Sequence, residues 1–196
     1  MNIDFKNNIS FQKSLVAKAK IIVNGRQESA EIFHLDKNED MVVFKKNTDN
    51  QDWENNYYLA DIQEVSPEEA ATLRFKIYCI ENKEKPLGYV YISSDFNNIE
   101  VDILETAPVH STYNSKRTAK YIGETLLSFL ATLAKKEGKN LTVEGIAPRE
   151  KTKDFYFKQC GFKIADKDTG IIPYRLLDNL ISQNEKHTGA KIELIG

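Results

Sequence analysis

Between Glu105 and Gly123 the chain concentrates hydrogen-bond donors: Thr106, Ser111, Thr112, Ser115, Lys116, Arg117, Thr118 and Lys120. The run ends at Tyr121-Ile122-Gly123, where an amphipathic helix opens. Backbone N–H groups, side-chain donors and a helix N-terminus brought to one spot make an anion site, and a pyrophosphate would use all three. A solvated loop ahead of a helix has the same composition, so residue types alone leave both readings open. Further along, Phe155-Tyr156-Phe157 precedes Cys160-Gly161-Phe162. Tyr156 fits either a core aromatic with a hydrogen-bonded hydroxyl or a general acid that protonates a thiolate leaving group. Glu105, at the end of a strand, and His110, in the polar turn, are the candidate bases; an imidazole titrates near pH ~6.5 and suits proton transfer. His34 and His187 have no partners nearby in sequence. No His/Cys/Asp group has metal-ligand spacing, and there is no nucleophile elbow, P-loop or dinucleotide glycine fingerprint.

The elements that must position these residues follow from periodicity. Residues 17–23 read as a strand, Asn24-Gly25 as a tight hairpin turn, and residues 28–35 as the return strand, with Ala30, Ile32 and His34 on one face. With short strands at Met41 to Phe44 and Tyr57 to Ile62, the first 65 residues look like a β-meander. Ser66-Pro67-Glu68-Glu69 carries a capping box and a first-turn proline, so a short helix starts there. Phe75 to Ile80, Leu87 to Ser93 and Ile99 to Glu105, separated by polar turns, predict a three-stranded antiparallel ribbon. From Lys120 to Glu137, Ile122, Leu126, Phe129, Leu130 and Leu133 form an apolar stripe, and Gly138 stops the helix. Then come a strand at Leu141 to Gly145, a short helix at Thr152 to Gln159 and a strand at Phe162 to Ala165. The end reads either as a strand at Ile171 to Leu177 or as a helix at Arg175 to Gln183, with a terminal strand at Lys191 to Ile195.

Composition sets bounds on this plan. Apolar residues make up 41% of the 196, enough for a packed core in one domain or one domain with an appendage. A net charge of −2 gives no global attraction to nucleic acid or to an anionic membrane, and neither is expected as a partner. Cys79 and Cys160 are far apart and read as small buried residues rather than a disulfide framework. No run is long enough to span a bilayer and the first residues lack an apolar signal core, so a cytoplasmic location is expected.

The order of these parts resembles the GCN5-related N-acetyltransferase (GNAT) superfamily from about Phe75 to Leu177, roughly half the chain. The matching pieces are the strand Ile99 to Glu105, the turn Thr118-Ala119-Lys120-Tyr121-Ile122-Gly123, Glu124-Thr125-Leu126-Leu127, the strand Leu141 to Gly145, and Tyr156 with Gly161-Phe162. The segment Leu104-Glu105-Thr106-Ala107-Pro108 is similar to one shared by a branch of GNAT-like proteins. The resemblance implies an α/β (α+β) fold with a mixed, mostly antiparallel sheet flanked by helices. It would occupy residues 66–196, with residues 1–65 an extra N-terminal β-rich region. It also implies acetyl-CoA as co-substrate, without a metal, lying in a gap between the strands at 99–105 and 141–145. Backbone groups of Leu104 to Thr106 would pair with the pantetheine arm, and Thr118, Ala119, Lys120, Tyr121, Ile122 and Gly123 would hold the pyrophosphate. A small-molecule or protein amine would attack the thioester directly, with Glu105 as base and Tyr156 as acid. Homodimers are frequent among GNAT-like proteins, so a homodimer fits the resemblance. Tyr121 departs from the family's Gln/Arg-x-x-Gly-x-Gly/Ala turn, in which glycine fills its slot. That departure favours the alternative reading, a non-catalytic GNAT-fold module that acts through protein–protein contacts.

Overall fold

The computed structural model describes residues 14–35, 76–107, 118–144, 150–166 and 168–195. The strands expected at 41–44 and 57–62, the helix opening at Ser66, and His110, Lys116 and Arg117 lie outside the described residues.

The first described elements form a hairpin, β1 (Ser14–Val23) and β2 (Arg26–Leu35). Asn24 and Gly25 both take positive φ, at 49° and 77°, as an Asn-Gly hairpin turn requires. β2 pairs antiparallel with β3 (Lys76–Asn82), so this hairpin is continuous with the main sheet. β3, β4 (Lys85–Ser94) and β5 (Asn98–Thr106) form the expected antiparallel ribbon. β5 then pairs in parallel with β7 (Asn140–Val143), which pairs with β9 (Gly170–Ile172), and β9 with β8 (Lys163–Ile164). Two short strands attach to β1: β6 (Ala119–Lys120) and β10 (Glu193–Leu194). The described strands thus make one mixed, mostly antiparallel sheet in the order β10-β1-β2-β3-β4-β5-β7-β9-β8.

The parallel β5–β7 step is crossed by α1 (Ile122–Glu137). It begins at Ile122 rather than Lys120, because Lys120 is taken into the ladder opposite Ile22. It ends as the sequence suggests: Gly138 sits at φ 72° and Lys139 N–H donates to the Ala134 carbonyl at 2.8 Å. The predicted stripe understates its burial. Every residue from Ile122 to Ala131 is buried, since the helix lies between the sheet and α3 (Leu177–Thr188). The two readings of the chain's end hold in succession: a strand at Gly170–Ile172, a turn of 3-10 helix at Tyr174–Leu176, then α3. The expected helix from Thr152 to Gln159 is instead α2 (Glu150–Lys153) running into a π-helical turn, Asp154–Gln159. Its widening is visible in the Cys160 N–H, which reaches back five residues to the Phe155 carbonyl at 2.9 Å.

The larger core cluster lies on the face covered by α1 and α3, with Ile21, Ile32, Ile80, Val90, Ile99, Leu126, Phe129 and Leu180 among its members. A smaller cluster on the other face holds Leu35, Ile77, Cys79, Tyr89, Tyr91 and Ala107. Cys79 and Cys160 are both buried thiols, not joined in a disulfide.

Candidate functional site

The site is built by one irregularity in β5. Tyr91 pairs with Ile103 and Ile92 with Val101, so Asp102 is an extra residue opposite no partner, a β-bulge. Side chains alternate along a strand, so the bulge shifts which of them face α1. Before it, Ile99 and Val101 belong to the α1-side core; after it, Leu104 does, while Ile103 joins the cluster on the far face. The bulge also marks where β5 and β7 part. Their pairing runs from Asn98↔Asn140 to Val101↔Val143, and β5 continues to Thr106 with no partner on that side among the described residues. This last stretch of β5, past its pairing with β7, runs beside the N-terminus of α1.

Two glycines let the parts close up. A Cβ on Gly123 would stand 3.3 Å from Phe155 Cζ, 3.7 Å from Leu104 Cδ2 and 3.8 Å from Thr106 Cγ2. The end of β5, the first turn of α1 and the π-helical turn therefore meet at Gly123. On Gly88 of β4, a Cβ would be 2.7 Å from the Glu105 carbonyl oxygen and 3.0 Å from Ile122 Cγ2. Only glycine lets β5 and the start of α1 approach β4 there.

The expected cradle Thr118 to Gly123 divides in two. The Thr118 carbonyl accepts the Asn24 N–H at 2.7 Å, and Ala119 and Lys120 lie in the ladder with β1. The first helical bond of α1 is Thr125 N–H to the Tyr121 carbonyl, at 2.8 Å, so the N–H groups of Ile122, Gly123 and Glu124 have no intrahelical acceptor. Among the described residues no side-chain cap is made at this end. Tyr121 itself takes φ 65°, ψ 15°, the left-handed conformation that glycine would adopt in its slot. Its ring stacks on His187 of α3, with centroids 4.7 Å apart and planes 18° apart.

Glu105 and Tyr156 approach β5 from opposite faces of the sheet. Glu105 lies on the side away from α1, where it accepts a 2.5 Å hydrogen bond from the hydroxyl of its cross-strand neighbour Tyr89. Burial raises its carboxyl above the ordinary value, and the Tyr89 bond partly offsets that. Tyr156, 7% exposed, belongs to the α1-side core, edge-on to Phe155 and Phe162 at 5.1 and 5.6 Å. Burial pushes its phenol up, so it holds its proton throughout the physiological range. Close to the bulge, on the same face as Glu105 by strand alternation, Glu100 is pushed up to about 7 by desolvation and by the nearby Glu144, Asp102 and Asp95. Desolvation lifts Asp102 to about 6 although its side chain still reaches solvent, against a 3.3 Å bond from Ser93 Oγ. Among the described residues no group of three His, Cys, Asp or Glu side chains could hold a metal ion.

Sequence reading missed a polar cluster where α3 crosses the start of α1. Glu124, 4% exposed, accepts hydrogen bonds from His187 Nδ1 at 2.8 and 3.1 Å and from Gln183 Nε2 at 3.4 Å. Thr125 Oγ1 donates to Asn184 Oδ1 at 3.1 Å. One signal was available: Gln183 with His187 and Asn184 with Thr188 are both i,i+4 polar pairs, which mark one polar stripe along α3.

No protein-family model matches this chain, and no curated protein matches it. Solved structures do. The PaiA N-acetyltransferase from Thermoplasma acidophilum, in complex with coenzyme A, is 22% identical with a TM-score of 0.50; the match covers 74% of this chain and 97% of that one. A putative acetyltransferase of the GNAT family from Desulfovibrio desulfuricans is 13% identical, TM-score 0.54, over 74% and 99%. The AtaT–AtaR complex bound to DNA is 19% identical, TM-score 0.52, over 76% and 97%. The fold is therefore that of the GNAT acetyltransferases, as the order of parts suggested. The last structure overturns the expectation of no nucleic-acid partner. That expectation rested on the chain's own charge of −2, and a chain's net charge does not limit what an assembly built on its fold can hold. No helix among the described residues is long and apolar enough to cross a membrane.

Proposed function

We propose that this chain is a cytoplasmic acetyltransferase that moves an acetyl group directly from acetyl-CoA to a primary amine on a small molecule or protein. The observation that carries the reading is the convergence at Gly123. There the end of β5, the first turn of α1 and the π-helical turn come within van der Waals reach, along the stretch of β5 that runs past its pairing with β7. That arrangement offers backbone groups in line for an extended amide-bearing arm and N–H donors at a helix terminus for a diphosphate. Structures of the same fold hold coenzyme A, which supports this choice of co-substrate.

In this reading the backbone of Leu104 to Thr106 pairs with the pantetheine arm. The N–H groups of Ile122, Gly123 and Glu124 take the diphosphate, with Thr118, Ala119 and Tyr121 shaping the turn and exposed Lys120 adding a cation. The amine nitrogen attacks the thioester carbon. The C–N bond forms, the C–S bond breaks, and the thiolate takes the Tyr156 proton while the amine proton passes to Glu105. The raised carboxyl of Glu105 brings its basicity closer to that task, and the raised phenol keeps Tyr156 loaded. The carboxylates at the bulge, Glu100 and Asp102, add negative charge on the face from which the amine would come, which suits a cationic acceptor. The non-catalytic alternative drew on Tyr121 in a glycine slot. The backbone of Tyr121 makes the turn glycine would make and its ring is held against His187, which supports the enzyme.

The test is acetyl transfer to a panel of primary amines, followed as thiol release. Tyr156→Phe should lower turnover about a hundredfold or more with acetyl-CoA affinity unchanged, within the usual worth of a general acid. Equal loss of affinity and turnover would make Tyr156 a packing residue only, and no transfer to any amine by the wild type would refute the activity.

A further inference from the structure

We propose that His187 is a positioning residue of the anion site: by drawing the buried Glu124 carboxylate to itself, it leaves the N-terminus of α1 open to the diphosphate of coenzyme A. The inference rests on the coenzyme A reading above.

Glu124 is the third residue of α1, and its side chain is 5% exposed. A carboxylate in a first helical turn is attracted to the same N–H groups and dipole that a phosphate would use. Left alone it would compete for those donors and repel the ligand across a short, poorly screened distance. Instead both carboxylate oxygens face His187 Nδ1, at 2.8 and 3.1 Å, and Gln183 adds a third bond. The imidazole is 40% exposed and carries the Tyr121 ring against its face, so the residue that balances Glu124 also fixes the side chain at the left-handed turn. α3 presents His187 from a rigid mount. Asn184 is bonded to Thr125 at 3.1 Å, Gln183 Nε2 reaches the Gln159 carbonyl at 2.5 Å, and Gln27 Nε2 reaches the Thr188 carbonyl at 2.6 Å. α3 thereby ties the anion turn, the end of the π-helical turn and β2 into one unit.

The experiment is calorimetric titration of coenzyme A into the full chain, the His187→Ala variant and the His187→Ala/Glu124→Gln double variant, each with its unliganded melting temperature. His187→Ala should weaken binding about tenfold, the order expected for one uncompensated charge near a bound anion. Adding Glu124→Gln should return the dissociation constant to within about threefold of wild type, because the competing charge is gone. A purely structural role predicts the reverse, since the double variant loses more of the α1–α3 contact. The proposal is overturned if His187→Ala binds within twofold of wild type, or if the double variant stays as weak as the single. If His187→Ala does not fold, His187→Gln with and without Glu124→Gln makes the same comparison with the same expectations. Wild-type chain that binds no coenzyme A would instead refute the reading on which this inference stands.

Discussion

The bulge residue and its neighbours carry an electrostatic signature that can be measured. Glu100 is raised to about 7 by desolvation and by three other carboxylates, Glu144, Asp102 and Asp95. A carboxyl whose folded pKa lies above its unfolded value binds more protons in the native state than in the unfolded one across the intervening pH range. Stability therefore falls as pH rises from about 4.5 to 7, and the contribution of the protonated form is fully present only below that window. The melting temperature should drop across it, and Glu100→Gln should flatten the drop. A wild-type profile that rises from pH 4.5 to 7, or a variant with an unaltered slope, would show that Glu100 is solvated like an ordinary surface carboxylate. Tyr121 teaches a related lesson. A tyrosine at φ 65° costs about 1 kcal/mol against an ordinary conformation, and its stack on His187 is the contact that offsets it. Sequence alone exposed the anomaly, a bulky residue in a glycine slot. It could not expose the answer, because His187 lies far along the chain and had no visible partner.

At the scale of elements, what was legible is what local pattern dictates. The Asn24-Gly25 hairpin, the antiparallel ribbon and the glycine-stopped helix all have short-range signals, and all are present. The bulge at Asp102 leaves only a faint trace: Ile99 to Ile103 alternates apolar and polar, and the adjacent apolar pair Ile103-Leu104 alone breaks the pattern, yet the bulge decides that Leu104 faces α1 and Glu105 faces away. The π-helical turn was equally hidden, since Asp154 to Gln159 has ordinary helical composition. Gly88 tests how tightly these elements are fitted. Because a Cβ there would meet the Glu105 carbonyl at 2.7 Å, Gly88→Ala must push β5 off β4 at the end of β5, where Gly88 lies opposite Thr106. We expect a loss of about 2 kcal/mol in chemical denaturation, with a weaker acetyl-CoA affinity. An alanine variant as stable as wild type would mean that β5 moves freely and that the geometry at Gly123 is not held from this side.

Across the whole molecule, one sheet unites the N-terminal hairpin with the strands of the site. β1 contributes directly, pairing with β6 just ahead of Tyr121 and accepting β10 at its other end. The first strands thus brace the turn into α1, a role that composition could not suggest. The same integration links cofactor occupancy to global stability. The central claim is that the end of β5 and the N-terminus of α1 form a seat for acetyl-CoA, and thermal unfolding in rising acetyl-CoA tests it most directly. At about a hundred times its dissociation constant the ligand should add roughly 2.7 kcal/mol, a rise of about 5 to 10 °C for a chain of this length. A melting temperature that stays put in millimolar acetyl-CoA would contradict the account.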